Sequence, residues 1–335
     1  MKVSEIGEFG LIDLLAKKVG EAGLGSSDKL VIGIGDDAAV WRTDASLQLC
    51  TTDTLVQDVD FVLGTITWQE MGWKLLAANL SDIAAMGGAP QYAEVTLGLP
   101  GDTEVENVLS LYQGIIALGA EFPLCVVGGD ITRAPLVILS VTLLGVATDD
   151  KLLTRSSAQL GDLIAVTGHL GSSAAGLEML TSGLKLDKET TSLLREAHFR
   201  PQPRIKEGQS LVAHGVKAAI DISDGLVGDL THICEASHVG ARVHTEKLPV
   251  HPLVRDAFKQ DYLNMALSGG EDFELLFTAP RTVIDGLGNL SGTPVTVIGE
   301  VVADNPGRVT LLDDEGNTLE WTKKGWDHFS AKKPL

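Results

Sequence analysis

Apolar positions along this chain fall into two rhythms. Between residues 65 and 86 they return near helical spacing, with Trp68, Met71, Leu75, Ile83 and Met86 in register, and Gly87-Gly88-Ala89-Pro90 stops the run. The same rhythm predicts helices over residues 11–19, 104–120, 174–180, 207–214 and 226–237. Short apolar runs bounded by turn residues predict strands over 31–34, 47–52, 92–99, 124–127, 136–146, 163–167, 218–221 and 274–278. Strand and helix alternate in both halves, so the class is α/β or α+β. The character of the chain changes around Thr148–Ser157, which sets an expected boundary near 150 between domains 1–149 and 150–335.

The polar residues that end these runs repeat one theme, an apolar element closing in glycine and carboxylate. Gly33-Ile34-Gly35-Asp36-Asp37 follows a strand, and its adjacent carboxylates repel unless a cation sits near. Thr51-Thr52-Asp53-Thr54 ends the next strand with four oxygen-bearing side chains, the donors a hard cation takes. Asn79 and Asp82, three apart, share one face of an apolar helix, where a polar pair must find partners. Val126-Val127 runs into Gly128-Gly129-Asp130, a turn open to a nucleotide's approach with an acid to hold its metal. Asp221 ends a strand, and Ser223-Asp224 stands where the next helix begins, a place that favours anions. Ser268-Gly269-Gly270-Glu271-Asp272 repeats the turn once more. Taken alone, each has an ordinary account: a turn-forming or capping Asp, a polar strand end, or a core acid satisfied internally. Gly168–Ser173 looks like a phosphate-cradling turn ahead of a helix and is read as structural, with His169 a loop residue. Walker A, H-E-x-x-H, G-x-S-x-G and protein-kinase patterns are all missing.

Charge narrows the partners. Across 335 residues the formal net charge is −19, which repels nucleic acid and anionic lipid. Solubility alone could explain the excess acid. If a phosphorylated ligand binds, the same surface calls for metal ions. Cys50, Cys125 and Cys234 show no paired spacing, which fits a reducing cytoplasm rather than a disulfide framework or a zinc site. The N-terminus lacks the apolar run of a signal peptide, and the longest apolar stretch, residues 136–147, falls short of the roughly 20 residues a membrane helix needs.

Taken in order, GEFGLI at Gly7–Ile12, GIGDDAA, TTDTLV, NLSDIAAMG, GGDITR, LLTRSSAQLGD, DISDGL, SGGEDFEL and GWDHF at Gly325–Phe329 resemble the bacterial thiamine-monophosphate kinases over nearly the whole chain. Their superfamily also holds aminoimidazole ribonucleotide synthetase, selenophosphate synthetase and a hydrogenase-maturation dehydratase. This chain has no Cys before Cys50 and ends AKKPL, unlike the last two. The resemblance implies a two-domain fold, N-terminal sheets joined across a homodimer, ATP in an interdomain cleft and several Mg²⁺ ions. It assigns Asp37, Thr51, Thr52, Asp53, Asp82, Asp130 and Asp221 to those ions and Asp224 to a further one. ATP would meet Tyr112, Gly129, Asp130, Arg155 and Ser223. Asp60, Glu271 and Trp326 would face thiamine phosphate, with Asp60 standing where the family often has His.

The implied reaction moves the γ-phosphate of ATP onto a phosphate monoester. That acceptor is largely ionised at neutral pH, since its second pKa is about 6, so no residue is needed as a general base. The obstacle is repulsion between two anions, which metal-bridged oxygens would offset. Two rivals stay open on sequence: another ATP-using relative, and a nucleotide or cation sensor without turnover.

Overall fold

The structure, a computed structural model, describes residues 11, 14–32, 40–41, 43, 46–147, 151–287, 290–322 and 325. Contacts divide these into two compact units. The first holds the described residues up to Ile83 and then 89–147. The second holds Ala84–Gly88 and the described residues from Lys151 onward. The excursion at Ala84–Gly88 is invisible to a single cut near 150. It is bonded within the second unit, where Leu153 N–H donates to Met86 O and the Gln209 amide to Gly88 O.

In the first unit a helix, α1, covers residues 14–21, and β1 (Leu30–Ile32) pairs with β2 (Val40–Trp41). There follow β3 (Gln48–Val56), α2 (Trp68–Ala85), β4 (Gly88–Leu99), α3 (Val105–Gly119), β5 (Cys125–Arg133) and β6 (Ile138–Ala147). The last four strands form one mixed sheet, ordered β3-β6-β4-β5, with β3 antiparallel to β6 and β4 parallel to β5. The helical period predicted for residues 65–86 becomes α2, whose Met71, Leu75, Leu76 and Leu80 are fully buried. Two expectations change here. The Gly-Gly-Ala-Pro stretch does end the helix, but its last three residues already belong to β4. Gly128-Gly129-Asp130 is not a turn after a short strand, because β5 runs through it, paired in register with Glu94–Thr96 of β4.

The second unit contains β7 (Leu163–Thr167), α4 (Ser172–Thr181), α5 (Lys188–Phe199), α6 (Ile205–Ala213), β8 (Ala218–Asp221) and α7 (Leu226–Ser237). Then come β9 (Gly240–His244), α8 (Pro252–Ala257), α9 (Tyr262–Ser268), β10 (Leu275–Ala279), α10 (Arg281–Leu287), β11 (Val295–Val302), β12 (Val309–Leu312) and β13 (Thr318–Leu319). Seven strands make a mixed sheet ordered β13-β12-β9-β11-β7-β10-β8. Every residue of β10, an inner strand between β7 and the edge strand β8, is buried, as expected of a strand covered on both faces. Sequence reading missed α5, whose apolar content is low. Its start is marked by Asp187, whose side chain accepts the Thr190 N–H at 3.0 Å, an N-cap signal. Among the described residues no helix is long and apolar enough to cross a membrane.

Candidate active site

In the first unit, β3 is an edge strand whose side chains alternate between two faces. Thr51 and Asp53 turn toward α2. Asn79 and Asp82, one helical turn apart on α2, meet them there. Asn79 is fully buried; its Nδ2 donates to Leu75 O at 2.9 Å, and its Oδ1 accepts the Asp53 N–H at 3.1 Å. Asp82 Oδ2 accepts the Thr51 hydroxyl, and the Asp53 and Asp82 carboxyls are hydrogen-bonded to each other. Burial, then the Asp82 charge and this hydrogen bond, pushes Asp53 up to about 7. Two carboxyls can sit this close only if they share a proton or a cation. Two carboxylates and a hydroxyl form an all-oxygen donor set, which fits a hard divalent cation.

The other residues expected in this unit are placed differently. The Thr52 side chain lies on the opposite face of β3, with its hydroxyl donating to Val141 O at 3.0 Å, so it is not brought together with Asp53. Asp130 is exposed on β5, the far edge of the sheet from β3. Gly129 lies opposite Val95, where an added Cβ would stand 1.9 Å from the Val95 carbonyl oxygen; close strand approach already requires glycine there. Tyr112 is 5% exposed on α3, so nearly all of its ring faces the core, and burial pushes its hydroxyl pKa up. Asp60 spends one oxygen on the Val56 N–H at 2.8 Å, closing the turn after β3. Asp37 lies outside the described residues, and among the described residues no group of three or more His, Cys, Asp or Glu is gathered for a metal.

In the second unit the motifs DISDGL and SGGEDFEL are stitched together by backbone bonds. Glu271 N–H donates to Ser223 O at 2.8 Å, Phe273 N–H to Ile222 O at 2.9 Å, and Ile222 N–H to Glu274 O at 2.8 Å. Asp221, at the end of β8, is buried, and Ser223 and Asp224 are half-buried in the turn that follows. Gly325 packs on the same turn; an added Cβ would stand 2.6 Å from Asp224 O. Trp326 lies outside the described residues. Arg155 is exposed on a single 3₁₀ turn, Arg155–Ser157, whose first carbonyl accepts the Ser237 hydroxyl at 2.8 Å.

Sequence reading overlooked Asp229. It sits in the first turn of α7, and its Oδ2 accepts the N–H groups of Gly225 at 3.0 Å and Asp224 at 3.2 Å. Burial first, then the charges of Asp221 and Asp224, pushes it up to about 8 against those two donors. An acid one turn into a helix that follows a Gly turn was the available signal. The GHLGSS turn, read as structural, is already capped from within: Asp272 accepts the N–H groups of Gly171 at 2.6 Å and Ser173 at 3.2 Å.

Comparison with known proteins fits this layout. The AIR synthase related protein family matches over both of its parts, the N-terminal domain at residues 35–147 and the C-terminal domain at 159–312. The thiamine-monophosphate kinase of Escherichia coli (strain K12) is 40% identical over 332 residues, covering 97% of this chain and 99% of that protein. The chain belongs to the thiamine-monophosphate kinase family. A crystal structure of thiamine-monophosphate kinase from Stenotrophomonas maltophilia K279a superposes with a TM-score of 0.81 at 35% identity, covering 90% of this chain and 96% of that one. AaThiL complexed with AMPPCP and TMP gives a TM-score of 0.77 at 34% identity, covering 98% of this chain and 99% of that one. Family membership carries the two-domain α/β fold with its two mixed sheets.

Proposed function

We propose that this chain is an ATP-dependent kinase of thiamine monophosphate, forming thiamine diphosphate and ADP. The observation that carries the reading is a solved family member, alike over 98% of the chain, that holds AMPPCP and TMP together. The local geometry supports it, since the paired acids of the first unit suit a cation that accompanies phosphates.

In this proposal Thr51, Asp53 and Asp82 hold Mg²⁺ through side-chain oxygens. Asp37, Thr52 and Asp130 of the first unit, and Asp221 and Asp224 of the second, are proposed for metal binding as well. A metal held by these residues would offset the charge of phosphate oxygens and lower the repulsion between donor and acceptor. The chain's own work is positioning. Tyr112, Gly129, Asp130 and Ser223 orient ATP, and the Arg155 guanidinium offers a forked donor to a phosphate. Glu271, with Asp60 and Trp326, binds the thiamine end, where a carboxylate complements a cationic thiazolium and an aromatic face attracts it. No proton need be removed from an acceptor already largely ionised, its second pKa being about 6.

The further reading is of a cytoplasmic homodimer. One face of the β3–β6 pair carries Cys50, Thr52 and Thr54, which are exposed, and Ser140 and Thr142, which are half-buried, and Leu47 (47% exposed) and Leu136 (38%) lie beside its ends. A second copy would cover that face.

The test is turnover of thiamine monophosphate with Mg-ATP, with thiamine diphosphate and ADP appearing one for one. ATP bound without consumption would point to a sensor. ATP consumed without thiamine diphosphate would point to another substrate.

A further inference from the structure

Glu271 holds a left-handed backbone (φ 65°), and so does Phe273 (φ 50°) two residues on. Neither is glycine, so this conformation persists only where its surroundings impose it. Asp272, between them, makes the imposing contacts: its two oxygens accept N–H groups at the start of α4, from Gly171 at 2.6 Å and Ser173 at 3.2 Å. The connection returns to Glu271 by another route. Ser173 Oγ is hydrogen-bonded to His198 Nδ1 at 3.0 Å, and that nitrogen lies 3.7 Å from Glu271 Oε2. Ser173 and His198 are 1% and 5% exposed, so neither can drift. The backbone on the other side is fixed to Ser223 and Ile222. Asp272 also lines, with Glu274, a cavity of about 650 Å³.

We propose that Asp272 is a positioning residue: it clamps the Glu271 segment to the start of α4, and the Ser173–His198 pair transmits that clamp to the Glu271 carboxylate, fixing where it meets the acceptor. This rests on the acceptor role proposed for Glu271.

The experiment is steady-state kinetics of the full chain with thiamine monophosphate and Mg-ATP. Glu271→Gln should raise the acceptor KM about tenfold or more with the ATP KM unchanged. An unchanged acceptor KM there overturns the role of Glu271 itself. Asp272→Asn keeps the volume but cannot accept both N–H groups, and should raise the acceptor KM about tenfold while leaving the ATP KM alone. In the double variant Asp272→Asn should add less than about twofold, because the carboxylate it places has lost its charge. Full multiplication of the two effects, or a parallel rise of both KM values, overturns the clamp while the Glu271 role stands. Ser173→Ala keeps its N–H on Asp272 and removes only the hydroxyl from His198, so it decides the matter if Asp272→Asn does not fold. It should raise the acceptor KM about threefold at unchanged Tm, and an unmoved acceptor KM overturns the transmission through His198.

Discussion

In the first unit Asp53 and Asp82 turn their carboxyls on each other, whereas in the second Asp162, Asp229 and Asp272 turn theirs on hydrogen-bond donors. Both arrangements bury acid, and burial pushes Asp53, Asp229 and Asp272 alike up to about 7 or 8. What differs is the partner. A carboxylate facing N–H groups is already satisfied and serves to shape a turn. Two carboxylates facing each other are in conflict until a positive charge arrives, and that conflict marks a place for a cation. The direction of the oxygens therefore separates the candidate chemistry from the scaffold better than the size of the pKa shift does.

Asp53→Asn breaks the comparison most severely. The substitution keeps the volume and removes the charge. It should lower kcat by at least about a hundredfold, in the range typical of losing one electrostatic contact to a transferring group. Stability should hold or rise, because the repulsion from Asp82 goes with the charge. Activity and a thermal melt on the same sample check both parts; wild-type turnover would remove Asp53 from the metal set.

Asp162 sharpens the contrast from the other side. It is 6% exposed, and its Oδ2 accepts the Gln159 N–H at 3.0 Å and the Thr278 hydroxyl at 3.1 Å. Asp162→Ala leaves both donors without that acceptor, at a cost of about 1–3 kcal/mol. Tm should fall by several degrees, with kcat and both KM values of the folded protein unchanged. A loss of turnover without a loss of stability would place Asp162 among the functional acids.

Much of this contrast could be read from the chain. The long period of α2 and α3 is hard to mistake, and the three-residue spacing of Asn79 and Asp82 put both on the face that meets β3. Asp221 ends its strand as expected. What local reading does not reach has several causes. Gly128-Gly129-Asp130 reads as a turn on local grounds, yet pairing with β4 draws it out straight. Thr52 sits between two site residues in sequence, and strand alternation sends it to the other face. Asp229 was missed because its use is local and structural, a first-turn acid folding back on the N–H groups ahead of it. Ser173 and His198 came together only through the packing of α4 on α5, which no spacing along the chain records.

The mildest expected effect concerns pH and asks whether Asp272 truly belongs with the scaffold acids. Burial raises it to about 7, the N–H groups of Gly171, Ser173 and Ser172 oppose that rise, and the Glu274 charge adds to it. A carboxyl raised on folding contributes stability that is complete below its ordinary value near 4 and is lost as pH climbs through about 7. Asp53 and Asp229 shift in the same direction, so the wild-type melt alone cannot isolate Asp272. The difference in Tm between wild type and Asp272→Asn can, because the amide stays neutral throughout. That difference should favour wild type most near pH 5 and shrink by a few degrees toward pH 8. If it stays flat or widens instead, Asp272 is ionised in the folded protein at every pH, and the start of α4 outweighs burial. Its carboxylate would then cap the helix as a full anion, and the clamp on Glu271 would be electrostatic as well as geometric.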